Sequence, residues 1–367
     1  MTVVIFITGL AALLVGAELL VRGASRLAAS VGISPLVIGL TVVAFGTSAP
    51  ELAVSVKAGL SGQADIVLGN VVGSNIFNVL FILGLSALVT PLVVSRRLVR
   101  IEVPLMIGLS GLVLILAMDG RLSAVDGCVL MSGLLIWSWV LIRQNRGTSL
   151  NTVRDDAREG GLETKQSVRV FDALLVAVGL GLLVFGSGWL VDSSVRFARA
   201  LGVSELVIGL TIVSAGTSMP EVVTSLVAAL KGERDIAVGN VLGSNIFNIM
   251  AVLGVGSIVA TGGVDVAPAA LRFDLPVMIA VAMVCLPIFF SGSRISRGEG
   301  ALLFGYYIAY TVYVLAAATH HDALEAYSNV MLYFVLPMTI TTISVIALRH
   351  LRRAGSDSGP SSGGVSQ

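Results

Sequence analysis

Residues 46–51 read GTSAPE and residues 69–78 read GNVVGSNIFN, and both strings return in nearly the same form 170 residues later. The second copies read GTSMPE at 216–221 and GNVLGSNIFN at 239–248. Each copy places a carboxylate, hydroxyls and amides inside an otherwise apolar segment. Because polar groups are costly inside a membrane, their repetition predicts an ion or substrate site.

The repeat extends well beyond these strings. Residues 38–79 align with residues 208–249 without a gap, and 25 of the 42 positions are identical. Outside this core, Gly9 matches Gly179 and Gly16 matches Gly186 at the same offset. The chain therefore consists of two homologous halves.

Composition places these halves in a membrane. The 367-residue chain is 56% hydrophobic and 12% charged, whereas a soluble domain carries roughly 25% charged residues. Apolar runs of about 20 residues, the length that spans a bilayer, recur throughout. The fold class is therefore all-α, a polytopic membrane protein with eleven predicted helices. These helices are 3–21, 36–60, 65–90, 101–118, 122–142, 171–191, 205–230, 235–260, 273–291, 299–318 and 330–348.

The order of these helices predicts two inverted five-helix repeats, ten core transmembrane helices in all. Because five is odd, the second repeat must start on the opposite side of the membrane, which is the plan of many secondary transporters. The predicted regions are the first repeat 1–142, the cytoplasmic linker loop 143–170, the second repeat 171–318, an accessory eleventh helix 330–348 and a disordered tail 354–367.

Basic residues predict the orientation. With the N-terminus outside, eighteen Lys and Arg residues fall on the inner side and five on the outer side, as the positive-inside rule requires. We therefore expect a multi-pass protein of the plasma (inner) membrane with a cytoplasmic C-terminus. No basic residue precedes the first helix, so we expect it to be retained and not cleaved as a signal peptide.

The proline of each GTSxPE string predicts a broken helix. Pro50 cannot donate a backbone hydrogen bond and clashes with the carbonyl of Gly46, so carbonyls near Gly46 and Thr47 should be freed. Such groups are tolerated only inside the bundle or at a wet cavity, and a helix C-terminus attracts cations. Thr47 and Glu51 share a face, and Ser48 neighbours Glu51 at a spacing of three. The second copy repeats this pattern with Thr217, Ser218, Pro220 and Glu221.

The GNxxGSNxxN strings place polar residues on one stripe of the next helix, since residues four apart share a face. The stripes are Asn70, Ser74 and Asn78 in the first half and Asn240, Ser244 and Asn248 in the second. Asn78 and Asn248 lie deepest in the apolar helix and are the favoured ligands. For Asn70, Asn75, Asn240 and Asn245, ion binding and interhelical packing both remain open.

These residues form an all-oxygen set. Oxygen ligands suit hard cations, and Ca²⁺ accepts about six to eight of them in flexible geometry. One Ca²⁺ or two Na⁺ offset two glutamates. An empty site would leave two negative charges in a low-dielectric environment, which is costly. The pattern therefore favours coupled exchange of ions over an uncoupled leak of ions through the protein.

At these motifs the chain resembles the calcium/cation antiporter superfamily, most closely its prokaryotic sodium/calcium exchangers. The resemblance implies ten core helices around a site at the membrane midplane, with Glu51 and Glu221 as central cation ligands. It also implies two flanking sets of ligands, which are Thr47, Ser48, Ser74 and Asn78 on one side and Thr217, Ser218, Ser244 and Asn248 on the other. Some members carry aspartate where this chain has Asn248, so selectivity and coupling stay open.

The leading interpretation is a sodium/calcium antiporter that works by alternating access, and not an enzyme. A calcium/proton antiporter is the alternative, K⁺ coupling stays open, and a cation channel is a different class. An intramembrane hydrolase would need a glycine-aspartate motif that is absent from the sequence. We expect inorganic cations and the lipid bilayer as partners, with no cofactor, no nucleic acid and no obligate protein partner.

Overall fold

The computed structural model describes residues 1–31, 33–156, 162–202, 214–290 and 294–318. It is mostly helical. The helices of the first half are Thr2–Val31, Pro35–Thr47, Ala49–Leu60, Ile66–Val89, Leu98–Asp119 and Ala124–Asp156. The helices of the second half are Leu162–Ala200, Ser214–Thr217, Met219–Leu230, Arg234–Val259, Ala270–Phe289 and Arg297–Ala318.

Eight of the described helices are long and apolar enough to cross a membrane, and one bent pair could form a ninth span. The short apolar helix Met219–Leu230 belongs to the predicted helix 205–230, whose first part lies outside the described residues. The predicted helix 330–348 and tail 354–367 also lie outside them. The polytopic helical class is therefore confirmed, whereas the count of eleven stays a prediction.

Helix boundaries differ from the sequence prediction at four places. The first helix continues past its predicted end at 21 to Val31, and Leu162–Ala200 continues past its predicted end at 191. Ala124–Asp156 and Leu162–Ala200 also extend well into the predicted linker 143–170. A prediction from hydropathy ends a helix where its apolar run ends. Polar and charged residues such as Arg and Gln are good helix formers, so a helix can continue past the hydrocarbon.

The first helix of each half packs against that of the other half. We call Thr2–Val31 and Leu162–Ala200 the long helices. Gly9 lies against Gly186, Gly16 against Gly179 and Gly23 against Asp172, so the contacts run in opposite order and the long helices are antiparallel. Small residues permit this close approach. Gly9 matches Gly179 in the repeat but contacts Gly186, and Gly16 matches Gly186 but contacts Gly179.

Two helices form the centre of the bundle. We call Ile66–Val89 and Arg234–Val259 the central helices. In their most apolar stretches 72% and 89% of residues are buried, compared with 11% for Arg297–Ala316 at the periphery. A helix that is apolar all round lies either in a core or against lipid. The burial of the central helices places them in the core of the bundle.

Four two-residue strands join the halves, and the sequence did not predict them. β1 (Leu92–Val93) pairs antiparallel with β4 (Arg294–Ile295), and β2 (Arg121–Leu122) pairs antiparallel with β3 (Val264–Asp265). Each pair takes one strand from each half. Segments this short carry no readable alternation of side chains, which is why they were missed.

Candidate cation site

Each GTSxPE string breaks its helix at the serine, and the break predicted at Pro50 is confirmed. Pro35–Thr47 and Ala49–Leu60 meet at an angle of 44°. Ser48, between them, has φ −82° and ψ 8°, and Ser218 has nearly the same values, −87° and 9°. We call Pro35–Leu60 and Ser214–Leu230 the broken helices. Each contributes one glutamate one turn after its break.

The two glutamates are buried and receive hydrogen bonds from the opposite half. Glu51 is 1% exposed and Glu221 is 0% exposed. Ser218 Oγ donates to Glu51 Oε1 at 2.8 Å, and Ser48 Oγ donates to Glu221 Oε1 at 2.9 Å. The sequence placed Ser48 beside Glu51 on one helix. The structure pairs each serine with the glutamate of the other half, so each of these hydrogen bonds joins the two halves.

No basic side chain neutralises these carboxylates in the described part of the chain. The ion pairs found there join Glu18 to Arg22 and Lys231, and Arg97 to Glu102. Glu51 and Glu221 are close enough to repel each other electrostatically. Two buried, mutually repelling carboxylates without a cation are unfavourable unless a positive charge joins them.

The central helices contribute amides at a local widening of the helix. A π-helical turn begins at Asn78 (Asn78–Leu83), and a second begins at Asn248 (Asn248–Leu253). Such turns interrupt the α-helical ladder and occur frequently at functional sites. Asn78 Nδ2 donates to Asn245 Oδ1 at 2.9 Å, and Asn248 Nδ2 donates to Asn75 Oδ1 at 3.2 Å. The amides are therefore paired between halves, as the serines and glutamates are.

The remaining predicted residues surround this group. Ser218 Oγ lies 3.3 Å from Ser74 Oγ, and Thr47 Oγ1 donates to Asn240 Oδ1 of the other half at 3.1 Å. Thr217 is half-buried at the end of its short helix, whereas Thr47 is fully buried. The structure thus joins Ser48 to Glu221, and Ser218 to both Glu51 and Ser74, across the two halves.

Five buried oxygens on the predicted ligands have no hydrogen-bond partner among the residues that the structure describes. They are Glu51 Oε2, Glu221 Oε2, Asn78 Oδ1, Asn248 Oδ1 and Ser244 Oγ. A buried acceptor without a partner costs roughly 1–3 kcal/mol, and more when it is charged. All five atoms belong to predicted ligands, and oxygen atoms are the ligands that hard cations prefer.

Asn70 and Asn240 have a different role. Asn70 Nδ2 donates to Ser55 Oγ at 2.9 Å and to the Glu51 carbonyl at 3.1 Å, and Asn240 Nδ2 makes the matching bonds in the second half. These contacts fasten each central helix to the broken helix of its own half. They favour the packing interpretation that the sequence left open.

Ser187 is a residue that the sequence analysis missed. Its Oγ donates to the carbonyl of Gly216 at 2.7 Å. Pro220 frees this carbonyl, because a proline nitrogen has no hydrogen to donate. The matching position in the first half is Ala17, so the repeat carries no signal for Ser187. The two breaks therefore differ in how their freed carbonyls are satisfied.

Known proteins are similar to this chain in both sequence and fold. A family model described as "Sodium/calcium exchanger protein" matches residues 1–143 and 171–316. The chain belongs to the sodium/calcium exchanger family. The expectation drawn from the repeated motifs is therefore confirmed at the level of the family.

This chain aligns with individual relatives over most of their length. The chain is 38% identical over 309 residues to the putative antiporter CaxA of Alkalimonas amylolytica, covering 83% of this chain and 95% of the relative. It is 38% identical over 315 residues to the inner membrane protein YrbG of Escherichia coli (strain K12), covering 83% and 94%. A solved structure of the sodium-calcium exchanger NCX_Mj superposes with a TM-score of 0.73 at 30% identity, covering 86% of this chain and 97% of that one.

Proposed function

We propose that this chain is a secondary active antiporter that exchanges Na⁺ for Ca²⁺ across the inner membrane. The exchange takes place at an oxygen-only site between the broken helices and the central helices. The proposed ligands are Glu51, Glu221, Thr47, Ser48, Ser74, Asn78, Thr217, Ser218, Ser244 and Asn248. The observation that carries the proposal is the set of five buried oxygens on these residues that have no hydrogen-bond partner among the described residues. Two of them belong to carboxylates that form no ion pair in the described part of the chain.

Charge balance explains exchange. The two glutamates bring two negative charges into a buried environment, and either one Ca²⁺ or two Na⁺ would offset them. A carrier returning with an empty site would have to move two uncompensated carboxylates through the low-dielectric interior, which is costly. Transport of one ion species is therefore coupled to return transport of another.

We also propose that the halves are inverted repeats and work by alternating access. The antiparallel contact between the long helices, with Gly9 against Gly186 and Gly16 against Gly179, supports a two-fold relation between the halves. In such transporters the site lies at the interface of the repeats near the bilayer midplane. The cross-half hydrogen bonds of Ser48 and Ser218 fit this placement, because both halves complete one site.

Flux measurements test the proposed function. Purified protein in sealed vesicles loaded with Na⁺ should take up calcium-45 when diluted into Na⁺-free buffer, and collapsing the Na⁺ gradient should stop the uptake. Matched K⁺ and H⁺ gradients serve as controls in the same preparation. Uptake driven by the proton gradient alone would replace sodium coupling with the calcium/proton alternative, and uptake independent of any counter-ion would indicate a channel.

The orientation is tested by cysteine labelling. With the N-terminus outside, Gly147→Cys should react with a membrane-impermeant maleimide only from the cytoplasmic side, and Gly120→Cys only from the outer side. The background protein lacks Cys128 and Cys285, the two free cysteines. Labelling of both positions from one side would contradict the inverted topology, because an odd number of crossings must separate them.

A further inference from the structure

We propose that Asn75 and Asn245 are positioning residues for ion binding, each orienting the ligand amide of the opposite half. This inference rests on the proposed function, since it takes Asn78 and Asn248 to be ion ligands. The sequence left the role of Asn75 and Asn245 open. Neither has an unpartnered side-chain oxygen in the described structure, in contrast to Asn78 and Asn248.

The orientation of the Asn75 and Asn245 amides is set by neighbouring groups that can only accept hydrogen bonds. Asn75 Nδ2 lies 3.3 Å from the backbone carbonyl of Asn245 and 3.8 Å from Met278 Sδ. Asn245 Nδ2 lies 3.4 Å from the backbone carbonyl of Asn75 and 3.3 Å from Met106 Sδ. Carbonyl oxygen and thioether sulfur accept hydrogen bonds and never donate them. The amide nitrogens must therefore face these groups.

The side-chain oxygens of the same two residues then face the ligand amides. Because Asn75 Nδ2 is committed to its acceptors, Asn75 Oδ1 is the atom presented to Asn248 at 3.2 Å. Asn245 Oδ1 is presented to Asn78 at 2.9 Å in the same way. An acceptor there requires a donor opposite it, so Asn248 and Asn78 must turn their Nδ2 atoms outward from the site.

The consequence reaches the ion. An amide with its nitrogen held on one side presents its oxygen on the other, and Asn78 Oδ1 and Asn248 Oδ1 are both buried without a partner. Without Asn75, Asn248 could rotate by half a turn and present a donor to a cation, which repels it.

A double-mutant cycle tests the inference, with calcium affinity read by titration calorimetry on detergent-purified protein and by the calcium concentration that half-saturates exchange. Asn75→Ala and the near-isosteric Asn75→Leu should each weaken calcium binding about tenfold, a typical loss for one favourable contact turned unfavourable. In an Asn248→Ala background the same changes should have less than about a twofold effect, because the amide they orient is gone.

Matched pairs make the result specific. Asn245→Ala with Asn78→Ala should show the same coupling. Independent effects at Asn75 and Asn248 would overturn the inference while leaving the exchange function intact. If the wild-type protein showed no sodium-driven calcium flux, the proposed exchange function would be wrong. The calorimetric cycle would still test the positioning role, because it measures calcium binding and not transport.

Discussion

Glu51→Gln and Glu221→Gln should each weaken calcium binding at least about a hundredfold, equivalent to about 2.7 kcal/mol, and abolish measurable exchange. Glutamine keeps the shape of the side chain and an oxygen that can accept from Ser218 or Ser48. It removes one of the two negative charges that offset a bound cation, and it places a donor where the structure has an unpartnered oxygen. The measurement is sodium-driven calcium-45 uptake with protein amount and monodispersity matched to wild type.

Glu102→Gln is the matched control. Glu102 is as buried as the site glutamates, at 0% exposure, but its two oxygens are occupied by Arg97 Nε at 3.4 Å and Trp137 Nε1 at 3.1 Å. Glutamine can accept one of these bonds and must turn its amide nitrogen toward the other donor, so this variant measures the cost of removing a buried carboxylate outside the candidate site. Exchange should be reduced far less than in the two site variants. Near-normal uptake in both site variants would place the ion site elsewhere. Equal loss in Glu102→Gln would indicate general damage to the bundle.

Gly179→Val should destabilise the protein and eliminate transport. A Cβ at position 179 would lie 2.7 Å from Leu20 N and 2.8 Å from the Gly16 carbonyl, and backbone atoms cannot move aside as a flexible side chain can. Overpacking of this kind costs about 1–3 kcal/mol, and here it would also push the long helices apart. The thermal unfolding temperature in detergent and the calcium-45 uptake of the same preparation measure the effect.

Gly181→Val provides the comparison on the same helix. No atom of the described residues lies within 4 Å of a Cβ at Gly181, so this variant should unfold near the wild-type temperature and retain uptake. It introduces the same β-branched residue with the same cost in helix propensity. If Gly179→Val behaved like Gly181→Val, the close contact of the long helices would have no importance for folding or transport.

Much of the architecture could be predicted from local features. Apolar runs identify most of the membrane helices, because only a helix satisfies its backbone within one segment in lipid. The prolines predict the breaks after Thr47 and Thr217, since a missing backbone hydrogen acts within a single turn. The repeat identifies Glu51 and Glu221 as the central pair, because a costly buried carboxylate would not recur at matched positions without a function.

Other features depend on contacts between distant parts of the chain. The sequence placed Ser48 on the same helix as Glu51, but only the packing of the halves decides that Ser48 hydrogen-bonds Glu221 instead. Periodicity states which face of a helix a residue occupies, and it does not state which helix that face meets. The strands β1–β4 were missed for the same reason, since each two-residue strand is defined by its partner in the other half.

Hydropathy, repetition and proline chemistry act locally. The membrane class, the two homologous halves, the broken helices and the residue types of the candidate site could therefore be predicted from the sequence. The pairing of those residues depends on how the helices pack. The crossed bonds of Ser48, Ser218, Asn75 and Asn245 and the contact from Ser187 to Gly216 join residues on different helices. A hydrogen bond depends on distances of about 3 Å and on the direction of the donor, and across helices those quantities exist only once the helices have packed.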